Sequence, residues 1–388
     1  MKISKIVSEM TQSFTRQLFD KAKEYDNVID FTLGDPDLRT PAVARNAGCD
    51  AIMSGKTRYS ANAGLLELRE AIATYIERED GVLYNPAREI IVTAGAMEAL
   101  YLCFCSMIDP GDEVILLAPY WVNYYHMIKM CGGVPVIVDT QQKDADINIK
   151  AIQNAITKKT VAVVVNTPNN PTGKVYSAEK LQELCELAEN KKIMLIADQC
   201  YRSIVFEPVT YYSILKNDKY KEHIVLIDSC SKQFAMTGWR IGFAAASEEL
   251  ITNMVKLQEN IVACAPLPSQ YAAIEAYRRG MSDVLQMKQK YEERRNFLLK
   301  ELELIPKLRC TTSDGTFYAW IDISDTGWSS KDFAFALLEQ QQVAVVPGVT
   351  YGENYDNYIR VAFTLNIEQI KEGMQRIKTM LKEDDYNG

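Results

Sequence analysis

"HIVLIDSCSKQFAMTGWRIGFAAA", residues 223–246, sets two apolar runs around a short polar segment. The first run, "HIVLIDS" at 223–229, and the second, "RIGFAAA" at 240–246, are apolar at nearly every position. Half-exposed strands alternate apolar with polar residues, whereas strands covered on both faces read as continuous apolar runs. Both runs therefore predict strands inside a covered sheet. Ser229, Ser231, Lys232 and Arg240 lie at or between their ends. Burying an unpaired ammonium is costly, so Lys232 at the end of a buried strand needs a chemical reason.

Five further runs share the pattern: "EIIVTAG" (89–95), "EVILLAP" (113–119), "VPVIVD" (134–139), "TVAVVVNT" (160–167) and "KIMLIAD" (192–198). Helical patterns separate them. In "SAEKLQELCELAENKK" (177–192), Ser177 is placed to cap and Glu179 suits the positive helix end. Leu181, Leu184, Leu187 and Ala188 form one apolar stripe. Strand alternating with helix predicts an α/β domain with a mostly parallel, seven-stranded sheet flanked by helices. After about residue 285 the texture changes to a long amphipathic helix, "QMKQKYEERRNFLLKELELI". "TFYAWIDI", a helix at 329–341, "VAVVPG", "YIRVAF" and a last helix follow. This reads as a smaller α+β domain. The expected division is 46–285 for the large domain, and 286–388 with an N-terminal arm, 1–45, for the small one.

Composition narrows the function. The chain has 388 residues, 47% hydrophobic and 24% charged, with a net charge of −8. An acidic chain argues against general nucleic-acid or anionic-membrane binding. No apolar run reaches the length of a membrane span, and "MKISKIVSEMTQSFTRQ" lacks the apolar core of a signal peptide, so a cytoplasmic protein is expected. Nine cysteines are scattered along the chain. Cys103, Cys105, Cys131, Cys185, Cys200 and Cys230 sit in apolar contexts and are expected to be buried free thiols of a reducing compartment. "CFC" at 103–105 has no partner pair and is a poor zinc signature. With only two histidines, His126 and His223, a histidine triad or multi-histidine metal site is hard to build. No metal site is expected, and the proton-transfer group is expected not to be histidine.

In parallel α/β sheets, ligands bind beyond the carboxyl ends of the strands, and the chemistry-bearing residues follow strand ends here. After "VTAG", the backbone N–H groups at Gly95, Ala96 and Met97 open a helix, an arrangement suited to a phosphate. A Rossmann G-x-G-x-x-G is absent, and "SGKT" at 54–57 has Asp50 where a P-loop needs its first glycine. "NTPNNPTGKVY" (166–176) reads as a turn-rich loop that also puts the amides of Asn169 and Asn170 at the sheet edge. "IADQCY" ends a strand at Asp198, with Tyr201 three residues on. That carboxylate either caps the next element or faces a protonated ring nitrogen. Ser229, Ser231 and the forked Arg240 suit an anion. A lysine beside another cation and partly desolvated has a lowered pKa, the condition for a Schiff-base amine. Taken alone, the stretch around Lys232 reads equally as structure or function. Together these are the parts that a pyridoxal 5'-phosphate site requires.

The chain resembles the class I, aspartate aminotransferase-like, pyridoxal phosphate-dependent aminotransferases of fold type I. The resemblance runs from "GDPDLRTP" (34–41) through "YSANAGLLELRE", "VTAGAMEAL", "PYWVNY", "NTPNNPTG", "ADQCY" and "SKQFAMTGWRIG" to "YIRVAF" (358–363). It implies that the 46–285 domain binds the cofactor and that Lys232 holds it as an internal aldimine, then shuttles the substrate proton. Asp198 would pair with the pyridinium, Tyr201 and Asn170 with the ring O3′, and Trp121 would stack on the ring. Ser229, Ser231, Arg240 and the Gly95, Ala96 and Met97 backbone would hold the phosphate. Tyr59 would reach that phosphate from a second subunit, which implies a homodimer with shared sites. Arg360 would grip the substrate α-carboxylate, aided by Asn170, Gly34 and Trp121.

The implied reaction moves the amino group of an L-amino acid to a 2-oxo acid such as 2-oxoglutarate, with aspartate or an aromatic amino acid as donor. Some aspartate-specific members use an arginine in the region matching "VACAPLPSQ" (262–270), which has none, and another subgroup uses a lysine where this chain has Met97. Arg39 or Arg58 would then serve a distal carboxylate. The same scaffold also supports a C–S β-lyase. A cofactor-sensing regulator would need a DNA-binding domain before the family motifs, which begin here at residue 34.

Overall fold

The computed structural model describes residues 2–10, 14–140, 146–216 and 218–387. Seven strands build the large sheet: β1 (Ile90–Thr93), β2 (Glu113–Ala118), β3 (Val134–Asp139), β4 (Thr160–Asn166), β5 (Met194–Asp198), β6 (Ile224–Ser229) and β7 (Gly242–Ala245). Their spatial order is β1-β7-β6-β5-β4-β2-β3. All neighbouring pairs are parallel except those made by β7, which runs antiparallel to both β1 and β6. The mostly parallel, seven-stranded α/β sheet expected from the apolar runs is thus present.

The continuous apolar runs reflect cover on both faces. In β2, Ile115 and Leu117 join one core cluster while Val114 and Leu116 join another. In β4, Val163 and Val165 divide from Ala162 and Val164 in the same way. Successive side chains point to opposite faces, so both sets must be apolar. Helix Ala178–Lys191 covers the first face with Leu181, Leu184 and Ala188. Ser177 caps it by accepting the Lys180 N–H at 3.3 Å. Each leucine so buried contributes about 1.5–3 kcal/mol. Helix Ala96–Met107 covers the second face with Leu100, Cys103 and Phe104.

A separate antiparallel sheet contains β8 (Arg309–Cys310), β9 (Tyr318–Asp322), β10 (Val346–Pro347) and β11 (Tyr358–Ala362), in the order β10-β11-β9-β8. The long helix beside it spans Met281–Leu302, beginning earlier than the change of texture suggested. Leu18 and Phe31 from the N-terminal segment lie in this body's core with Phe317, Phe333 and Phe363. A short parallel pairing, Ile29–Asp30 with Val343–Ala344, ties the segment down. No sequence pattern pointed to that pairing, because two residues are too few to show a period.

The single antiparallel strand positions the site. Gly242 opens β7 opposite Thr93, the end of β1, and opposite Ser229, the end of β6. The amino end of β7 therefore shares an edge with the carboxyl ends of β1, β4, β5 and β6. Arg240, two residues before β7, is delivered to that edge.

Candidate active site

A cavity of about 400 Å³ opens at this edge. Asn166, Asp198, Ser229, Lys232 and Arg240 line it from the large sheet's edge, Tyr318 and Arg360 from the antiparallel sheet, and Gly34 from the N-terminal segment. Of the residues singled out in the sequence, Ala96, Met97, Trp121, Asn170, Tyr201 and Ser231 also line it.

One end is built for an anion. Gly95 caps helix Ala96–Met107 with φ 84°, a conformation that favours glycine. Helix geometry leaves the Ala96 and Met97 N–H groups without intrahelical partners. The Glu98 carboxylate accepts the Ala94 N–H at the turn. Arg240 adopts φ 55° and donates to the carbonyls of Thr237 (3.0 Å) and Ala94 (3.2 Å). A Cβ on Gly95 would meet Arg240 Nη2 at 2.5 Å, so only glycine lets the guanidinium lie over this turn. Ser229 donates its hydroxyl to Cys200 Sγ at 3.4 Å.

At the floor, Asp198 is 5% exposed. Tyr124 donates to its Oδ2 at 2.6 Å and the Cys200 N–H to its Oδ1 at 3.2 Å. Burial pushes its carboxyl up from the usual range, and these hydrogen bonds oppose the shift. Tyr201 and Tyr318 bring their hydroxyls to 3.0 Å, and burial pushes the Tyr201 phenol up.

Lys232 was expected at the end of a strand. The strand ends at Ser229, where its apolar run ends, but Cys230–Gln233 then form one helical turn that carries Lys232. Gly242 is the last partner of β6, and Cys230 only donates to the Ile241 carbonyl at 3.1 Å. Freed of the ladder, the chain coils, and Lys232 Nζ donates to the Gly34 carbonyl at 2.6 Å. A Cβ on Gly34 would overlap the Tyr318 hydroxyl.

Opposite, Arg360 is 6% exposed. It donates to Asn170 Oδ1 at 3.1 Å and to the Thr32 carbonyl at 2.7 Å, and its Nε has no hydrogen-bond partner. Its guanidinium carbon lies 4.2 Å from the Tyr318 ring centroid and 5.4 Å from that of Tyr351. A buried cation in a cavity wall, with donors left over, is suited to a carboxylate.

Four expected residues lie elsewhere. Tyr59 is 86% exposed and lines a different concavity with Arg58, Cys264 and Leu267. Arg39 lines a third, with Phe234 and Lys290. Asn169 is turned into its own loop, accepting from Thr172 and donating to the Pro119 carbonyl. Conversely, Tyr124, Tyr318, Thr32 and Asn166 belong to the site without having been singled out. Tyr124 and Tyr318 sit inside motifs that had been noted, "PYWVNY" and "TFYAWIDI", but nothing local separates a site tyrosine from a core one.

The family model for class I and II aminotransferases matches residues 26–377. The chain is 36% identical over 387 residues to an aspartate aminotransferase of Bacillus sp. (strain YM-2), covering 97% of this chain and 98% of that one. It is 34% identical to aromatic-amino-acid aminotransferase 2 of Thermococcus litoralis, with 99% of each covered. The solved structure of Thermus thermophilus aspartate aminotransferase with maleate superposes with a TM-score of 0.93 at 34% identity, covering 98% of this chain and 99% of that one. The buried Asp198, the half-buried Lys232 and the Arg240 anion end fit pyridoxal 5'-phosphate by donor type and charge. The chain belongs to the class I and II aminotransferases, which use pyridoxal 5'-phosphate as cofactor.

Proposed function

We propose that this aminotransferase takes the amino group of an aspartate-type or aromatic L-amino acid and passes it to a 2-oxo acid such as 2-oxoglutarate. The observation that carries the reading is the convergence of Lys232, Asp198, Arg240 and Arg360 on one cavity. Bound pyridoxal phosphate supplies an electron sink for the charge left on the substrate Cα. Lys232 is assigned as the amine that holds the cofactor and then moves the proton at that carbon. Asp198 keeps the pyridine nitrogen protonated, Tyr201 and Asn170 serve the ring oxygen, and Trp121 forms the stacking wall. Ser229, Ser231, Arg240 and the Gly95, Ala96 and Met97 backbone hold the phosphate. Arg360, helped by Asn170 and Gly34, binds the substrate α-carboxylate through its remaining donors.

These assignments use all three cations that line the cavity. Leu33, Met97, Val122 and Tyr351, also in the lining, suit an aromatic side chain. An aspartate donor would need a cation from outside the lining. Arg58 lies with the exposed Tyr59 in a concavity shared with Cys264 and Leu267. This surface supports a homodimer in which Tyr59 reaches the phosphate of the other subunit's site. The two core bodies support a large cofactor-binding domain at 46–285 and a small domain of 1–45 with 286–388. No helix among the described residues is long and apolar enough to cross a membrane. Nine cysteines without a disulfide support a cytoplasmic location.

The test follows the cofactor's absorbance as single amino acids are added. Conversion to the amine form, reversed by 2-oxoglutarate, supports transfer and ranks the donors. Release of pyruvate and ammonia from cystathionine, without need of an oxo acid, would instead identify a C–S β-lyase, a reading that the named relatives do not favour.

A further inference from the structure

Cys105 and Cys131 place their sulfurs 2.9 Å apart. Both had been expected among the buried free thiols. Cys103, Cys185, Cys200 and Cys230 are buried as expected, but Cys105 and Cys131 are only half-buried. The apolar context of Cys105 reflects its buried neighbours Leu102, Cys103 and Phe104 rather than its own burial. Among the described residues no other two cysteine sulfurs are in contact.

The fold holds this pair in register. Cys105 lies in the last turn of helix Ala96–Met107, and Cys131 caps the carboxyl end of helix Asn123–Met130. At the other ends of the same helices, Asn123 Nδ2 lies 3.9 Å from Met97 Sδ. Both contacts join residues 26 positions apart in sequence, so the helices run parallel with a constant offset. Rigid elements on both sides therefore set the sulfur separation. It exceeds the ~2.05 Å of a disulfide by roughly 0.9 Å, a gap that small side-chain rotations close.

The two sulfurs are chemically unequal. Either sulfur can donate in the Cys105–Cys131 contact, but Tyr101, one turn earlier on its helix, adds a second hydrogen bond to Cys105. Hydrogen bonds to a thiolate favour the charged form, and against burial they bring Cys105 down to about 7. Cys131, which donates when Cys105 is the thiolate, is pushed up by that hydrogen bond and by burial. One sulfur is thus suited to attack at neutral pH, where thiols with a pKa near the ambient pH react best, and its neighbour is suited to resolve the product.

We propose that Cys105 and Cys131 form a reversible dithiol–disulfide site that reacts with low-molecular-weight disulfides such as oxidised glutathione. The Cys105 thiolate attacks one sulfur of the small disulfide, forms a mixed disulfide and expels the other half as a thiolate. Cys131 loses its proton to solvent, attacks the Cys105 sulfur and expels the second half. The two protein thiols are oxidised to one disulfide and the small disulfide is reduced to two thiols, which take up the two protons. Excess small thiol reverses both steps. The link lies eight residues, about 12 Å of helix, from Met97. It ties the two helices that bring Met97 and Asn123 to the cavity without entering it.

The test incubates the holoenzyme with oxidised glutathione at neutral pH, quenches it with acid, and maps its peptides by mass spectrometry. The expected result is a Cys105–Cys131 linked peptide pair that dithiothreitol removes. Cys131→Ser should accumulate a glutathione adduct on Cys105, whereas Cys105→Ser should form one at Cys131 roughly tenfold more slowly. Cofactor absorbance in each variant confirms folding, since neither residue touches the cavity. No linked pair, a link between other cysteines, or faster reaction at Cys131 than at Cys105 overturns the proposal.

Discussion

Tyr124 donates its hydroxyl hydrogen to Asp198 Oδ2 across 2.6 Å, in a region where both residues are buried. The donor comes from the helix that begins at Asn123, and the acceptor ends a strand elsewhere in the sheet. Burial raises the Asp198 pKa, and this hydrogen bond is the largest force holding it down. Tyr124→Phe should therefore raise that pKa further, so the ionised carboxylate is reached only at higher pH. The acid limb of the kcat/KM profile should move upward, and turnover at neutral pH should fall about tenfold for one lost hydrogen bond to a charged group. An unchanged limb would show that Asp198 does not set it.

Lys232 is half-buried and donates to one carbonyl, that of Gly34. Lys232→Ala should leave the thermal midpoint nearly unchanged while turnover falls to background. Circular dichroism melts and stopped-flow absorbance measure the two effects separately. Wild-type-like transamination in this variant would sink the proposed mechanism.

Arg360 presents a fork that a lysine cannot reproduce. Arg360→Lys keeps the charge but loses bidentate geometry and the stack on Tyr318. The expected outcome is a KM for amino acids raised roughly 10–100-fold, with kcat less affected. Equal KM values for every donor would remove Arg360 from carboxylate binding.

Gly95 combines φ 84° with the close approach of Arg240. Gly95→Ala forces alanine into a φ, ψ region that essentially only glycine occupies, at a cost of about 1–3 kcal/mol, and displaces the guanidinium. Cofactor affinity, titrated by absorbance, should weaken by about tenfold or more, while amino-acid KM changes little once the enzyme is saturated with cofactor.

Asp228 is fully buried, and only one of its oxygens is used, accepting the Ser229 N–H at 2.7 Å. Burial pushes its carboxyl up to about 8, opposed by Arg202. An unfolded aspartate titrates near 3.9, so between those values the folded chain binds more protons than the unfolded one. Stability from this group is full below about pH 4 and is lost as the pH rises through about 8. Asp228→Asn should flatten that decline, raising the thermal midpoint at pH 8 relative to the parent by a few degrees. A parallel pH dependence in both proteins would exclude Asp228 as its source.

Much of the site was legible because its residues follow strand ends, and apolar runs mark strand ends locally. Asp198, Ser229 and Lys232 were found in this way, and the order of motifs pointed to the family. Tyr124 and Tyr318 were not distinguishable from core aromatics, because their partners lie 74 and 117 residues away in sequence. The pairing of Cys105 with Cys131 was hidden for the same reason, since apolar neighbours suggest burial but not proximity in space.

Local sequence by itself determined the strands, the covered sheet, the helix caps and the residue types available at the sheet edge. These depend on periodicity and on groups within a few residues of one another. Only the tertiary structure decided that β7 runs antiparallel and carries Arg240 to the edge, that Lys232 rides a helical turn, and that Arg360 meets Asn170 and Thr32 across one cavity. Those outcomes depend on strand order, register and helix offset, which arise from packing between distant segments.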